Sequence, residues 1–431
     1  MNVLLIFLGK FTIFVSRLFN LGSGSTWPGH IALSANKNFI KEIINKNFHL
    51  KIILVAGTNG KTTTGKLIQT ILEKNGEKIF QNTAGANLLN GIASSLILNS
   101  NLSEKINKDF AIFEIDENTL PLILKEINNP DFIIILNLFR DQLDRYGEVN
   151  SISKKWGDAL KKLNEKTTLV LNADDPQVAN LGLHPKGVIV RFFGINDKSL
   201  STTKNQHAVD STYCPNCGSK LEYSTIYYSH LGIWKCPKCG NVRPKLSLEI
   251  SPIYPLSGIY NQYNTNAAVL IAKEIGITLD KIKLVLSEFE PAFGRQEILN
   301  IDGKKVQIFL SKNPTGFNES LKTISILNAK NLLIVLNDRI PDGRDVSWIW
   351  DVDFEDFSSQ FKNITVSGER TFDMELRLKY AEFKKFETEE NLTKAINIAI
   401  SKTSKNEILY ILPTYSAMLE VRKILTGKKI L

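Results

Sequence analysis

Short, almost unbroken apolar runs recur through the first part of the chain, each followed by a polar turn and then by residues at helical spacing. Residues 52–55, 78–83, 109–115, 131–138 and 168–171 read as strands, and the lack of in/out alternation suits strands buried on both faces of a parallel sheet. A helix follows at 65–74, residues 84–99 give a small-residue turn (Ala84-Gly85-Ala86-Asn87) and a helix, and another helix falls at 153–163. This alternation predicts a doubly wound parallel α/β sheet. It breaks near residue 200 and resumes with a helix running from Gly258 to Ile275. From about residue 298 a second α/β region begins, with strands at 306–310, 331–336, 364–367 and 407–412. The expected domains are an N-terminal helical segment (1–48), a central domain (49–297) with an insertion at about 206–243, and a smaller Rossmann-like α/β domain (298–431).

The N-terminus has a different pattern. Residues 3–19 are apolar apart from Lys10, Arg17 and a few small polar residues, and no small-residue cleavage site follows, which argues against a signal peptide. Seven positions apart, the two cations share one helical face. Two readings stay open: a helix packed on its own protein, and one resting at a bilayer interface. A Gly/Ser-rich loop at 21–28 leads to a helix expected over 31–46. No run of 18 uncharged apolar residues occurs, so no membrane-spanning helix is expected.

Composition adds little to this. With 431 residues, 43% hydrophobic and 23% charged, the chain is an ordinary globular one of two or three domains. A net charge of +9 suits an anionic substrate, a membrane surface or nucleic acid without choosing among them.

The turn after the first strand carries the chemistry. Gly57-Thr58-Asn59-Gly60-Lys61-Thr62-Thr63 joins a buried strand to a helix, so small residues let backbone N–H groups face an anion at the positive helix start. Lys61 is placed to neutralise terminal phosphate oxygens, and Thr62 to hold Mg2+. Val55 stands where the first Gly of G-x-x-x-x-G-K-[ST] would be, and Gly57 takes over the turn. The acidic run Glu114-Ile115-Asp116-Glu117 closes a neighbouring strand, and Glu114 is the expected second magnesium ligand, with a solvated acidic turn as the alternative. Arg295 is a candidate phosphate ligand. The Asn residues at the start of the 258–275 helix either cap it or touch a base.

All four cysteines fall in C-x2-C-x18-C-x2-C: Cys214, Cys217, Cys236 and Cys239. Each pair forms a knuckle relieved by Gly218 or Gly240, and four thiolates suit a closed structural Zn2+ site. Two disulfides are the rival reading. Strands at 221–226 and 232–235 would make the ribbon, an inserted structural or docking module.

The phosphate loop, Asn172-Ala173-Asp174-Asp175-Pro176, the Asn-rich helix start and Gly294-Arg295 together resemble the Mur ligase family of ATP-dependent amide-forming enzymes. The cysteine insertion and the segments 137–145, 342–351 and 412–418 resemble, within that family, the synthetase subunits of glutamine-dependent amidotransferases. The resemblance implies a Mur ligase-like P-loop central domain. It also implies ATP-dependent activation of the α-carboxylate of D-glutamate in the stem peptide of lipid II. Ammonia would then attack the acyl phosphate to give D-isoglutamine. That ammonia would come from a GatD-like class I glutaminase bound as a heterodimer. Independently, a glutaminase needs a free nucleophilic Cys, and the zinc reading leaves none of the four thiols free.

By the same resemblance, residues 57–63 cradle phosphates, Asn266 and Arg295 contact nucleotide, and Lys312 reaches the γ-phosphate and acyl phosphate. An Asp of the Trp348-Ile349-Trp350-Asp351 loop would orient the glutaminase histidine; Asp351 is chosen, with Asp345 and Asp353 as alternatives. Departures from the wider family are Gln142 where a metal-binding His is usual, Trp156-Gly157 where a carbamylated Lys falls, and Leu310 for an Asp. They put a second Mg2+ held in the usual way in doubt. Only about 48 residues precede the first strand, against a UDP-sugar domain elsewhere in the family, which fits a lipid-linked acceptor met at the inner membrane face by a cytoplasmic protein. The rivals are a Mur-type ligase adding an amino acid, such as a polyglutamate synthase, and a nucleotide-binding zinc-ribbon module on nucleic acid. No nucleic-acid partner is expected.

Overall fold

The computed structural model describes residues 1–16 in full, 17–18 by backbone alone, and 26–82, 85–141, 149–183, 185–202 and 209–427. Gln142 and the remainder of the 142–148 cluster, and the side chain of Arg17, lie outside the described residues.

The first sheet contains β1 (Lys51–Ala56), β2 (Ile79–Gln81), β3 (Phe110–Ile115), β4 (Phe132–Ile135), β5 (Thr168–Asn172) and β6 (Ile189–Phe193). All are parallel, in the order β2-β3-β1-β4-β5-β6. Alternate residues of β1 serve two cores: Ile52, Leu54 and Ala56 face one, Ile53 and Val55 the other. The chain reverses its direction of winding around β1, and the loops after β1, β3 and β4 gather at the carboxyl edge beside that reversal. This is where an open α/β sheet takes its ligand. β6 completes the sheet without having been foreseen, because Ile189-Val190-Arg191-Phe192-Phe193 is short and carries a charge.

The cysteine insertion forms the antiparallel pair β7 (Glu222–Tyr228) and β8 (Leu231–Lys235). The ribbon does not hang free. Tyr227, Tyr228 and Leu231 at the tip of its hairpin join the core beneath the helix Ile259–Glu274.

The second sheet orders β13-β12-β11-β14-β10-β9, from β9 (Arg295–Ile301), β10 (Lys304–Phe309), β11 (Asn331–Val335), β12 (Asn363–Ser367), β13 (Glu387–Thr388) and β14 (Ile408–Pro413). Only β9 runs antiparallel, joined to β10 through Asp302 (φ 48°) and Gly303 (φ 75°). Two successive positive φ values make the turn whose twist matches a hairpin. Arg295 therefore starts a strand of the second sheet, three residues ahead of the expected boundary.

At the N-terminus the helix Asn2–Leu18 buries Asn2, Leu5, Ile6, Gly9 and Ile13, and Gly9 fits tightly: a Cβ there would lie 2.8 Å from Ile97 Cγ2. Val3, Leu4, Phe7, Leu8, Phe11 and Phe14 are exposed along the opposite face. The helix expected over 31–46 is two helices, Trp27–Ala35 and Phe39–Lys46. Asn36 breaks it by accepting the Asn38 N–H (3.0 Å) and donating to Asn2 Oδ1 (2.9 Å), a side-chain turn that competes with the helical ladder.

Candidate active site

The helix after β1 starts at Lys61, four residues ahead of the expected start, and runs to Lys74. The β-branched run Thr62-Thr63-Thr64 has poor helical propensity, but the strand before it and Gly60 at the cap (φ 91°) set the geometry. The loop is held by Asn137 after β4. Its side chain accepts the Asn59 N–H (2.9 Å) and donates to the Asn59 carbonyl (3.0 Å). Thr58 donates its backbone N–H to the Asn137 carbonyl (3.1 Å) and its hydroxyl accepts the Phe139 N–H (3.1 Å). Gly57 (φ 134°) and Gly60 are obligatory, since a Cβ on Gly60 would lie 2.1 Å from Asn264 Oδ1.

Lys61 folds back onto the loop, donating to the Gly57 carbonyl and to the Thr58 carbonyl (3.2 Å), with Glu117 Oε1 at 3.8 Å. Thr62 donates to Glu114 Oε2 (2.9 Å), which brings together the hydroxyl and carboxylate expected to hold magnesium. Burial pushes the Glu114 carboxyl above its ordinary range, against the Thr62 hydrogen bond and the charges of Arg295 and Lys61. Glu117 is also buried and raised for the same reason, and its Oε1 finds no hydrogen bond among the described residues. Sequence reasoning passed over Glu117, although it belongs to the same acidic run.

Lys312 follows β10 and crosses to the first domain, where its Nζ lies 2.5 Å from Asp141 Oδ2. Burial works against its charge, but Asp141 and Glu117 outweigh that and hold the ammonium above its ordinary range. Next to it, Asn313 caps the helix Pro314–Ile326 and donates to Asn59 Oδ1 of the phosphate loop (3.0 Å). Together these contacts bring the second domain's strand end against the phosphate loop.

A cavity opens beside the loop, lined by Asn59, Gly60 and Thr63, by Asn261 and Asn264, by Tyr228 from the ribbon, and by Arg295 and Glu319. Arg295 and Thr63 thus share a cavity, and burial lowers the Arg295 pKa against the opposing pull of Glu114. Asn266, expected to contact nucleotide, is not among the residues lining this cavity. It is fully buried away from this cavity, donates to the Gly194 carbonyl (2.9 Å) and accepts the Tyr254 hydroxyl (3.1 Å). Its neighbour Asn264 takes the cavity wall.

A second cleft joins Asp351 to Lys312 and Asp141, with Arg140, Gly343 and Ser347 on its walls. The other two aspartates of that loop have local work: Asp345 accepts the Ser347 N–H (2.8 Å), and buried Asp353 accepts from Asn318 Nδ2 (2.8 Å). Trp156, where a carbamylated lysine was a family expectation, is wholly buried and donates its indole N–H to the Glu117 carbonyl (2.8 Å). Leu310 lines the cavity beside the loop.

The four cysteine sulfurs lie within 4.8 Å of one another, with Cys214–Cys239 at 3.6 Å and Cys217–Cys236 at 3.5 Å. Sulfurs of a tetrahedral site with Zn–S near 2.3 Å are about 3.8 Å apart, so the donor set fits one zinc ion, whereas a disulfide would need about 2.05 Å. Both shortest pairs run between the two knuckles, and all four thiols are free. Behind the site the ribbon is tied down: Trp234 donates to the Ala173 carbonyl (3.0 Å), and Arg243 pairs with buried Asp174 (2.6 Å), which also accepts from Tyr263 (2.6 Å).

Comparison with known proteins agrees with this geometry. Residues 55–272 match the Mur ligase middle domain and residues 310–418 the MurT ligase C-terminal domain. The chain is 34% identical over 378 residues to the lipid II isoglutaminyl synthase (glutamine-hydrolyzing) subunit MurT of Staphylococcus aureus (strain COL), covering 83% of each. It is 33% identical over 440 residues to the Streptococcus pneumoniae (strain ATCC BAA-255 / R6) protein of the same name, covering 96% of this chain and 95% of that one. In fold it resembles a pseudomurein peptide ligase type C from Methanothermus fervidus (TM-score 0.66, 23% identity, 90% of this chain and 81% of that one). It also resembles a MurF ligase from Thermotoga maritima in complex with ADP (TM-score 0.61, 15% identity, 90% and 82%). The chain belongs to the Mur ligase family, in its MurT branch, and is an ATP-dependent ligase.

Proposed function

We propose that the chain amidates the α-carboxylate of D-glutamate in the stem peptide of lipid II, using ATP and ammonia released by a separate class I glutaminase. The observation that carries this reading is the convergence of two lysines from the two domains. Lys61 lies 3.8 Å from Glu117, and Lys312 enters beside it through Asp141. One cation serves the terminal phosphate of ATP, and the other serves the carboxylate as it becomes an acyl phosphate, where fixed charge in a water-poor site lowers the barrier. Bound at Thr62 and Glu114, Mg2+ would supply further positive charge against the phosphoryl oxygens. Asn264 and Arg295 would hold the nucleotide, and closure of the Lys312 strand end over the loop would keep water from the acyl phosphate. The cysteine cluster supports the need for a partner, since every thiol of the chain lies in it. Asp351, on the rim of the second cleft, would orient the partner's histidine. The exposed apolar face of the Asn2–Leu18 helix would meet the bilayer carrying the acceptor; no helix among the described residues is long and apolar enough to cross one.

The test is an assay of the purified chain with ATP, Mg2+, lipid II and ammonium. ADP and amidated lipid II are expected without any amino acid present. ADP release that waits for an amino acid would move the reading to an amino-acid ligase. With the glutaminase added, Asp351→Asn is expected to keep the ammonium-driven rate and lose the glutamine-driven one; loss of both would place Asp351 in the ATP chemistry.

A further inference from the structure

We propose that His230, at the tip of the cysteine ribbon, is a positioning residue for the phosphate loop, acting on it through Asp175 and Phe139. Among the buried side-chain atoms without a hydrogen-bond partner in the described residues, Glu117 Oε1 and Asp141 Oδ1 lie with the two lysines of the site. His230 Nε2 is another such atom, and it serves no step described so far. Leaving it unmet in a buried place is costly, so its setting calls for a reason. Three observations supply one. First, the imidazole is wholly buried, and its Nε2 stands 3.3 Å from Oδ2 of Asp175, which is wholly buried too. The other contacts printed for that carboxylate are backbone N–H groups: Oδ1 accepts from Gln177 (2.9 Å) and Val178 (3.2 Å), and Oδ2 from Leu138 (2.8 Å). A lone pair turned on a buried carboxylate oxygen would repel it, so Nε2 carries the ring proton, and a small turn of the ring completes the hydrogen bond. Second, the same ring packs on Phe139, with centroids 4.9 Å apart. His230 and Asp175 thus hold residues 138 and 139 from behind. On its other side Phe139 is fastened to the phosphate loop: its N–H donates to the Thr58 hydroxyl (3.1 Å), which donates in turn to the Phe139 carbonyl (3.2 Å). Third, the hairpin is bent to deliver this ring. Ser229 sits at φ 49°, a region that side chains disfavour, and both turn residues are buried, whereas polar turns ordinarily face water. The cysteines lie at the opposite end of β7 and β8, so closing a metal site does not account for a buried histidine here.

The inference rests on the proposed function only in that the loop binds the phosphates of ATP, so the experiment measures binding rather than amidation. ADP with Mg2+ is titrated into the full-length chain as wild type, His230→Phe, His230→Gln and His230→Asn, and each is melted without nucleotide. Phenylalanine keeps a ring against Phe139 and removes the N–H. Glutamine keeps an N–H at about the same reach, and asparagine carries it one methylene short. ADP is expected to bind about tenfold more weakly to His230→Phe and His230→Asn, and within threefold of wild type to His230→Gln. A merely structural role would lower the melting temperature and the fraction of chain that binds, while leaving the Kd of that fraction unchanged. Should His230→Phe not fold, the comparison is read between the two amides. An unchanged Kd in His230→Asn, or equal losses in His230→Gln and His230→Asn, overturns the proposal. Wild type that binds no ADP overturns the phosphate loop and this role with it. Wild type that binds ADP normally but forms no amide overturns the proposed reaction alone, and the ranking of the four Kd values still decides the role of His230.

Discussion

Asn264 and Asn266 stand two positions apart on one helix, and a turn of about 200° separates a cavity wall from a core contact. The first lies against Gly60 and hydrogen-bonds Asn261 (3.1 Å); the second is closed off by Gly194 and Tyr254. Asn264→Ala is therefore expected to weaken ATP binding about tenfold with little change in melting temperature. Asn266→Ala should leave the buried Gly194 carbonyl without its donor and the Tyr254 hydroxyl proton without its acceptor, at a cost of about 1–3 kcal/mol of stability. Nucleotide titration and thermal melting on the two variants separate the roles, and the reverse pattern would restore Asn266 to the site. At this scale the phosphate loop was legible because its chemistry is contiguous in the chain. Glu117 and Asp141 were not, because an unmet oxygen is created by packing between segments far apart in sequence and leaves no mark on either one.

Among the elements, the ribbon departs furthest from what its spacing suggests. C-x2-C knuckles announce a metal-bound hairpin, and β7 and β8 fall within one or two residues of where they were expected. The spacing says nothing of where such a hairpin goes. Here Tyr228 at its tip lines the cavity beside the phosphate loop, and Trp234 and Arg243 grip the segment after β5. Zinc would thus hold a wall of the nucleotide site from behind. Stripping it with a chelator, or Cys236→Ser, is expected to lower the melting temperature by roughly 5 °C or more. It should also weaken ATP binding, and a stability loss with nucleotide affinity intact would detach the ribbon from the site. Other elements differ from expectation for local reasons. Asn36 splits one expected helix by its own side-chain turn, and the hairpin through Asp302-Gly303 carries Arg295 into the second sheet, three residues ahead of the expected boundary.

For the whole molecule, the apolar runs were enough to foresee two α/β bodies, because each buried strand declares itself. Their mutual placement is fixed by contacts no local pattern announces, among them Lys312–Asp141 and Asn313–Asn59, which span 171 and 254 residues of chain, and Gln296 bonded to Ser257 and Tyr260. The N-terminal helix was legible as a helix but not in its orientation. With Leu5, Ile6 and Ile13 turned inward, Phe7, Phe11 and Phe14 are left facing water. Replacing those three by Ser leaves the packing face intact and is expected to reduce liposome co-flotation about tenfold. Flotation equal to wild type would remove the bilayer from the account. Arg295 opens β9 and so travels with the second body, whereas Asn264 across the cavity belongs to the first. Any parting of the two halves would therefore draw Arg295 away from Asn264, so the wall of this cavity is whole only while they stand together.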